Sequence, residues 1–121
     1  PDVKYRGIFI NDEDWGLQEW AEKNYEAGAS EAKDIGPKTY AKVFELLLRL
    51  KANYIWPAMH DSTKPFNFYP ENKVVADRYA IVMGSSHAEP MLRNNVGEWP
   101  HDEATCNTAN ECSPVHHLIS L

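Results

Sequence analysis

Three short apolar segments, each running directly into polar residues, restrict this chain to few architectures. Residues 5–10 (YRGIFI) end in Asn11, Asp12, Glu13 and Asp14, residues 53–60 (NYIWPAMH) end in His60 and Asp61, and residues 80–87 (AIVMGSSH) end in Gly84, Ser85, Ser86 and His87. Ile8, Phe9 and Ile10 follow one another without a polar break, the pattern of a strand buried on both faces. Pro57 closes the regular part of the second segment, because proline has no N–H to give a ladder.

Helix-forming sequence lies between these segments. Gly36-Pro37 opens a helix in which Tyr40, Val43, Phe44, Leu47, Leu50 and the stem of Lys51 recur at helical spacing, with Lys42, Glu45 and Arg49 on the other side. Residues 61–72 are rich in Pro, Asn, Ser and aromatics and read as a long loop, and NKVVADRYA gives at most a two-turn helix. Strand, helix, strand, short helix, strand is the order of an α/β fold with a parallel sheet, whose crossovers are right-handed. Ligands in such folds bind at the carboxyl ends of the strands, where all three polar clusters fall. The loops after the first two strands exceed the about 2–6 residues that are ordinary there, and long loops at this position tend to carry function.

Charge and composition exclude some classes. The chain has 121 residues, 43% hydrophobic and 25% charged, with a formal net charge of -6. That is a globular profile, and its acidity with no basic stripe argues against a nucleic-acid partner. No run of about 18 apolar residues suggests a membrane span, so no membrane partner is expected. The N-terminus PDVKYRG has neither a signal-peptide pattern nor an initiator Met, and we expect the chain to begin inside a longer protein. Cys106 and Cys112 are too few to define a disulfide framework.

Carboxylates side by side repel and raise one another's pKa values, so Asp12, Glu13 and Asp14 invite a functional explanation. If strand alternation persisted to the tip, Asp12 and Asp14 would share one face and Glu13 would share the other with Asn11. On that reading Asp12 or Asp14 positions water or binds ligand hydroxyls, while Glu13 either contacts ligand or braces the neighbouring loop. Capping of the helical stretch WGLQEWAEKNY is the bland alternative for Asp14 and Asp12.

His60 and His87 are candidate ligand contacts beyond strand ends, and Glu89 is either a site carboxylate or a helix cap. Trp56 is either an apolar platform for a ligand or core packing, and Trp15 and Trp20 read as packing residues. Arg93 is preferred over Lys38 and Lys64 as partner of an acidic ligand, because its fork suits a carboxylate. GSSH lacks the glycine of a serine-hydrolase elbow, and the spacing of Cys106, Cys112, His116 and His117 fits no usual zinc pattern.

RGIFINDEDWGLQ, DIGPKTYAKVFELLLRLKANYIWPAMH and NKVVADRYAIVMGSSHAEPMLRNNVGEW together resemble the opening of the catalytic barrel of glycoside hydrolase family 115, the xylan α-1,2-glucuronidases. The resemblance runs from about Tyr5 to Trp99. It implies a partial (β/α)8 TIM barrel over residues 1–99, contributing the first three parallel strands with intervening helices, since a whole barrel takes roughly 250 residues. It also implies removal of (4-O-methyl-)glucuronic acid side chains from glucuronoxylan or its oligosaccharides by inversion, without a cofactor or metal. The general acid would lie on later strands. In this frame Asp12 and Asp14 are the catalytic candidates, with Asn11, Glu13, Trp56, His60, His87, Glu89 and Arg93 as substrate contacts.

The parent enzyme would act outside the cell or in the periplasm, with a homodimer left open, and this chain alone would be inactive. Residues 100–121 do not resemble what should follow Trp99 and read as a divergent, disordered tail. Two other readings stay open on the residues: a metal-dependent barrel hydrolase with Asp12, His60 and His87 as zinc or manganese ligands, and a non-catalytic module binding acidic xylan.

Overall fold

The computed structural model describes residues 2–27, 34–87, 89, 92–94 and 98. The structure of residues 100–121, read above as a divergent tail, lies outside the described residues. The chain runs through β1 (Gly7–Phe9), a 3-10 turn (Glu13–Trp15), α1 (Leu17–Asn24), α2 (Pro37–Arg49), β2 (Tyr54–Trp56), a second 3-10 turn (Phe66–Phe68), α3 (Pro70–Arg78) and β3 (Val82–Met83). The strands form one parallel sheet in the order β1-β2-β3. The ladder continues one residue further at both strand tips, through Ile10 N–H to Trp56 O and Gly84 N–H to Ile55 O. This is the α/β arrangement expected from the segment order.

Register divides the sheet into two faces. Ile8, Ile55 and Met83 are aligned across the strands, and Ile55 and Met83 join the core built from Tyr40, Phe44 and Leu47 of α2 and Ala76 of α3. Tyr40 stacks on Phe44 at 5.7 Å and meets Phe66 edge-on at 4.9 Å, so one helical face gathers the loop aromatics as well. The opposite sheet face carries Phe9, Tyr54, Trp56 and Val82. Trp56 donates its indole N–H to the Tyr54 hydroxyl at 3.0 Å and packs edge-on against Phe9. Both rings extend over β3's end, where a Cβ on Gly84 would fall on the Tyr54 hydroxyl.

Burial of β1 on both faces, expected from its unbroken apolar run, is corrected here: Ile8 is 45% exposed and Phe9 is exposed too. The described elements cover one side of the sheet, and the aromatic side is left to solvent. Leu50 is likewise exposed, because α2 ends at Arg49 and Leu50 is its cap. Trp15 is 84% exposed and is not a packing residue, whereas Trp20 packs edge-on against Tyr25 at 4.9 Å.

Buried carboxylates fix the helices and loops. Glu26 accepts hydrogen bonds from the N–H and hydroxyl of Thr39 at 2.8 and 3.1 Å, supplying from a distance the N-terminal cap that no side chain of α2's own start provides. Such a cap is worth about 1 kcal/mol. Gly36 makes room for it, since a Cβ there would lie 2.8 Å from Glu26 Oε2. The solvent-facing pairs of Glu45 with Arg49 and Lys42 are screened by water and add little.

Both helix-to-strand turns share one device. After α2, Ala52 N–H bonds Leu47 O and Lys51 N–H bonds Leu48 O, and after α3, Ile81 N–H bonds Ala76 O and Ala80 N–H bonds Asp77 O. Lys51 and Ala80 take the left-handed conformation at φ 58° and 52°, completing two Schellman turns without glycine. α3 spans 9 residues, slightly beyond the two turns expected, because Pro70 starts it two positions before Asn72. Among the described residues, no helix is long and apolar enough to cross a membrane.

Candidate functional site

β1 does not carry its alternation into the acidic cluster. The strand stops at Phe9, and Glu13, Asp14 and Trp15 wind into a 3-10 turn, so the pairing of Asp12 with Asp14 on one strand face does not hold. The capping alternative fails as well, since neither the turn nor α1 receives a side-chain cap hydrogen bond at its start. The turn instead sends the three acids to different places.

Glu13 points inward and is 1% exposed. Its Oε1 accepts from the His60 backbone N–H at 2.7 Å and from the Thr63 hydroxyl at 2.9 Å, tying the loop after β2 to the loop after β1. Its Oε2 is buried and has no hydrogen-bond partner. Asp14 stays half exposed and lies 2.8 Å from His60 Nδ1. Asp12 Oδ1 is 3.9 Å from His60 Nε2, and exposed Asn11 donates to Asp12 Oδ2 at 3.4 Å. His60 therefore sits among three carboxylates, and the Asp14 hydrogen bond, followed by the charges of Glu13, Asp14 and Asp12, outweighs desolvation and raises its pKa.

Two further anchors hold this loop. Tyr40 of α2 accepts the Ala58 N–H at 3.2 Å, and burial pushes its phenol pKa up. Asp34 accepts from the N–H of Ile35 and of Lys64 and from the Tyr69 hydroxyl. Thr63, Asp34 and Tyr40 carried no positional signal as site supports in the sequence, because each acts on residues distant along the chain. The bonds to the Glu13 and Asp34 carboxylates are the stronger of these, at about 1.5–3 kcal/mol each for hydrogen bonds to charged groups, and hold the His60 loop in place.

The loop after β3 closes the same end of the sheet. Ser86 donates to Met59 Sδ at 3.2 Å, and the Asn94 amide donates to Met59 O at 3.3 Å. Glu89 is buried. Its carboxyl is pushed up to about 7, by burial first and then by repulsion from Glu13 and Glu98, against the pull of His60. Arg93 is engaged with Glu98 at 3.1 Å. His87 is exposed, and Trp56 lies half-buried on the aromatic sheet face. The described side chains that converge with metal-ligand spacing are Glu13, Asp14 and His60, a set that omits the Asp12 and His87 of the metal-hydrolase alternative.

The model of glycosyl hydrolase family 115 matches residues 1–118. The chain belongs to glycoside hydrolase family 115. The match continues past Trp99, where the resemblance read from the sequence stopped, into the stretch taken as divergent. A solved family 115 structure, described as a 4-O-methyl-alpha-glucuronidase with specificity for decorated arabinogalactans, is similar at 45% identity with a TM-score of 0.76. The similarity covers 100% of this chain and 17% of that one. No curated protein matches the chain.

Proposed function

We propose that these three strand ends form one wall of the site of an inverting α-glucuronidase built on a (β/α)8 barrel. It removes (4-O-methyl-)glucuronic acid side chains from glucuronoxylan or its oligosaccharides. The observation that carries this reading is His60 held among Asp12, Glu13 and Asp14 at the carboxyl end of a parallel sheet, in a chain of family 115.

Asp12 and Asp14, the exposed members, are placed to orient water or sugar hydroxyls, and Asp14 fixes the His60 ring while doing so. Glu13 holds the His60 loop in register through Oε1. Glu89, with its pKa pushed up to about 7, keeps its proton near neutrality and can donate a hydrogen bond to a uronate that an ionised carboxylate would repel. An inverting reaction further needs an acid and a base about 6.5–9.5 Å apart across the sugar, and the partner group comes from barrel strands beyond these three. The chain alone therefore releases no glucuronic acid.

The relative acting on decorated arabinogalactans supports a second reading of the polymer, with the same uronic acid cleaved from an arabinogalactan backbone. The full-length parent enzyme should be incubated with glucuronoxylan and with glucuronic-acid-bearing arabinogalactan, and the first-formed anomer followed by proton NMR. Release of the β-anomer from one polymer is the expected result and selects between the two backbones. Absence of uronic acid from both sinks the function, and early α-anomer sinks inversion. A polymeric substrate also puts the parent enzyme in the medium or the periplasm, which fractionation of producing cells tests.

A further inference from the structure

Glu13 Oε2 is the group that the interactions described above leave over. It is fully buried without a hydrogen-bond partner, and the carboxylate cannot rotate to relieve it, because Oε1 is fixed by the His60 N–H and the Thr63 hydroxyl. An unpaired buried carboxylate oxygen is costly, because no hydrogen bond replaces the water it has lost. His60 Nδ1 lies 3.9 Å from it, too far for a hydrogen bond. Asp14 Oδ1 stands 2.8 Å from that same nitrogen.

We propose that Glu13 Oε2, Asp14 Oδ1 and a His60 ring nitrogen bind one divalent first-row metal cation of the manganese or zinc type. One ligand atom from each of the three residues lies within 4.8 Å of the other two, close to the roughly 3–4.4 Å that separates atoms sharing a cation at about 2.0–2.2 Å. A single imidazole with two carboxylates is a donor set of borderline hardness, suited to these ions. The cation takes the place of the proton now shared between His60 and Asp14, and it pairs the stranded Oε2. Asp12, whose Oδ1 lies 3.9 Å from His60 Nε2, adds a further negative charge beside the site. The arrangement stands whether or not the protein is a glucuronidase.

Mn²⁺ is the probe of choice, because Cys106, Cys112, His116 and His117 would compete for Zn²⁺ through softer ligands. Titration of the full chain, followed by loss of the free Mn²⁺ EPR signal, should saturate at a single class of site. NMR should show paramagnetic broadening of the His60 ring before that of His87. Asp14→Asn and His60→Asn, both at half-exposed positions, should each weaken binding about ten-fold or more. Circular dichroism of both variants separates a lost ligand from a lost fold, and Glu13→Gln adds the third ligand where it remains folded. Non-saturable binding, or Mn²⁺ affinity unchanged in folded Asp14→Asn and His60→Asn, overturns the site.

Discussion

Burial keeps the proton on Glu89 up to about pH 7, while an unfolded glutamate releases it near its ordinary value of 4.5. Between those values the unfolded state alone sheds the proton, so Glu89 lowers stability steadily as pH rises from 4.5 towards 7. His60 acts in the same direction. Its folded pKa is raised above 6.5, so its contribution is complete below 6.5 and disappears as pH climbs through the raised value. The midpoint of thermal unfolding should therefore fall between about pH 5 and pH 8, and Glu89→Gln should flatten the lower part of that slope. An unchanged slope in Glu89→Gln refutes the assignment. The sequence showed that acids cluster here but not which one turns inward, because Glu13 is selected by a hydroxyl 50 residues away at Thr63. Alternation was the only local rule available, and it ended with the strand at Phe9.

The two Schellman turns set where β2 and β3 begin, and both place a residue with a Cβ in the left-handed region. That conformation costs a non-glycine residue about 1–2 kcal/mol, part of which glycine gives back through its freer unfolded chain. Ala80→Gly should consequently raise stability by up to about 1 kcal/mol in chemical denaturation, and a loss of stability would show the turn to be held otherwise. The strands and α2 were legible because apolar runs and Gly36-Pro37 are local signals. The turns were not, since Lys51 and Ala80 give no cue where a glycine would have marked them. The distant cap from Glu26 to Thr39 was invisible for a related reason, as its partners are 13 residues apart with no repeating pattern.

Across the described residues, one side of the sheet is packed and the other carries exposed Phe9 beside half-buried Tyr54 and Trp56. Exposed aromatic strands attract further copies, so the isolated chain should associate in a concentration-dependent way. Phe9→Lys should shift sedimentation towards monomer with little change in helix content, and undiminished association would locate the contact elsewhere. The parallel order of the sheet also sets a timetable. Arg6 beside β1 is joined to Asn53 across 47 residues, and at roughly 5–20 residues per second of synthesis that separation lasts about 2–10 s. For that interval each nascent chain carries Gly7–Phe9 as a strand with nothing to pair to, a span in which a chaperone or a neighbouring ribosome's product can reach it first.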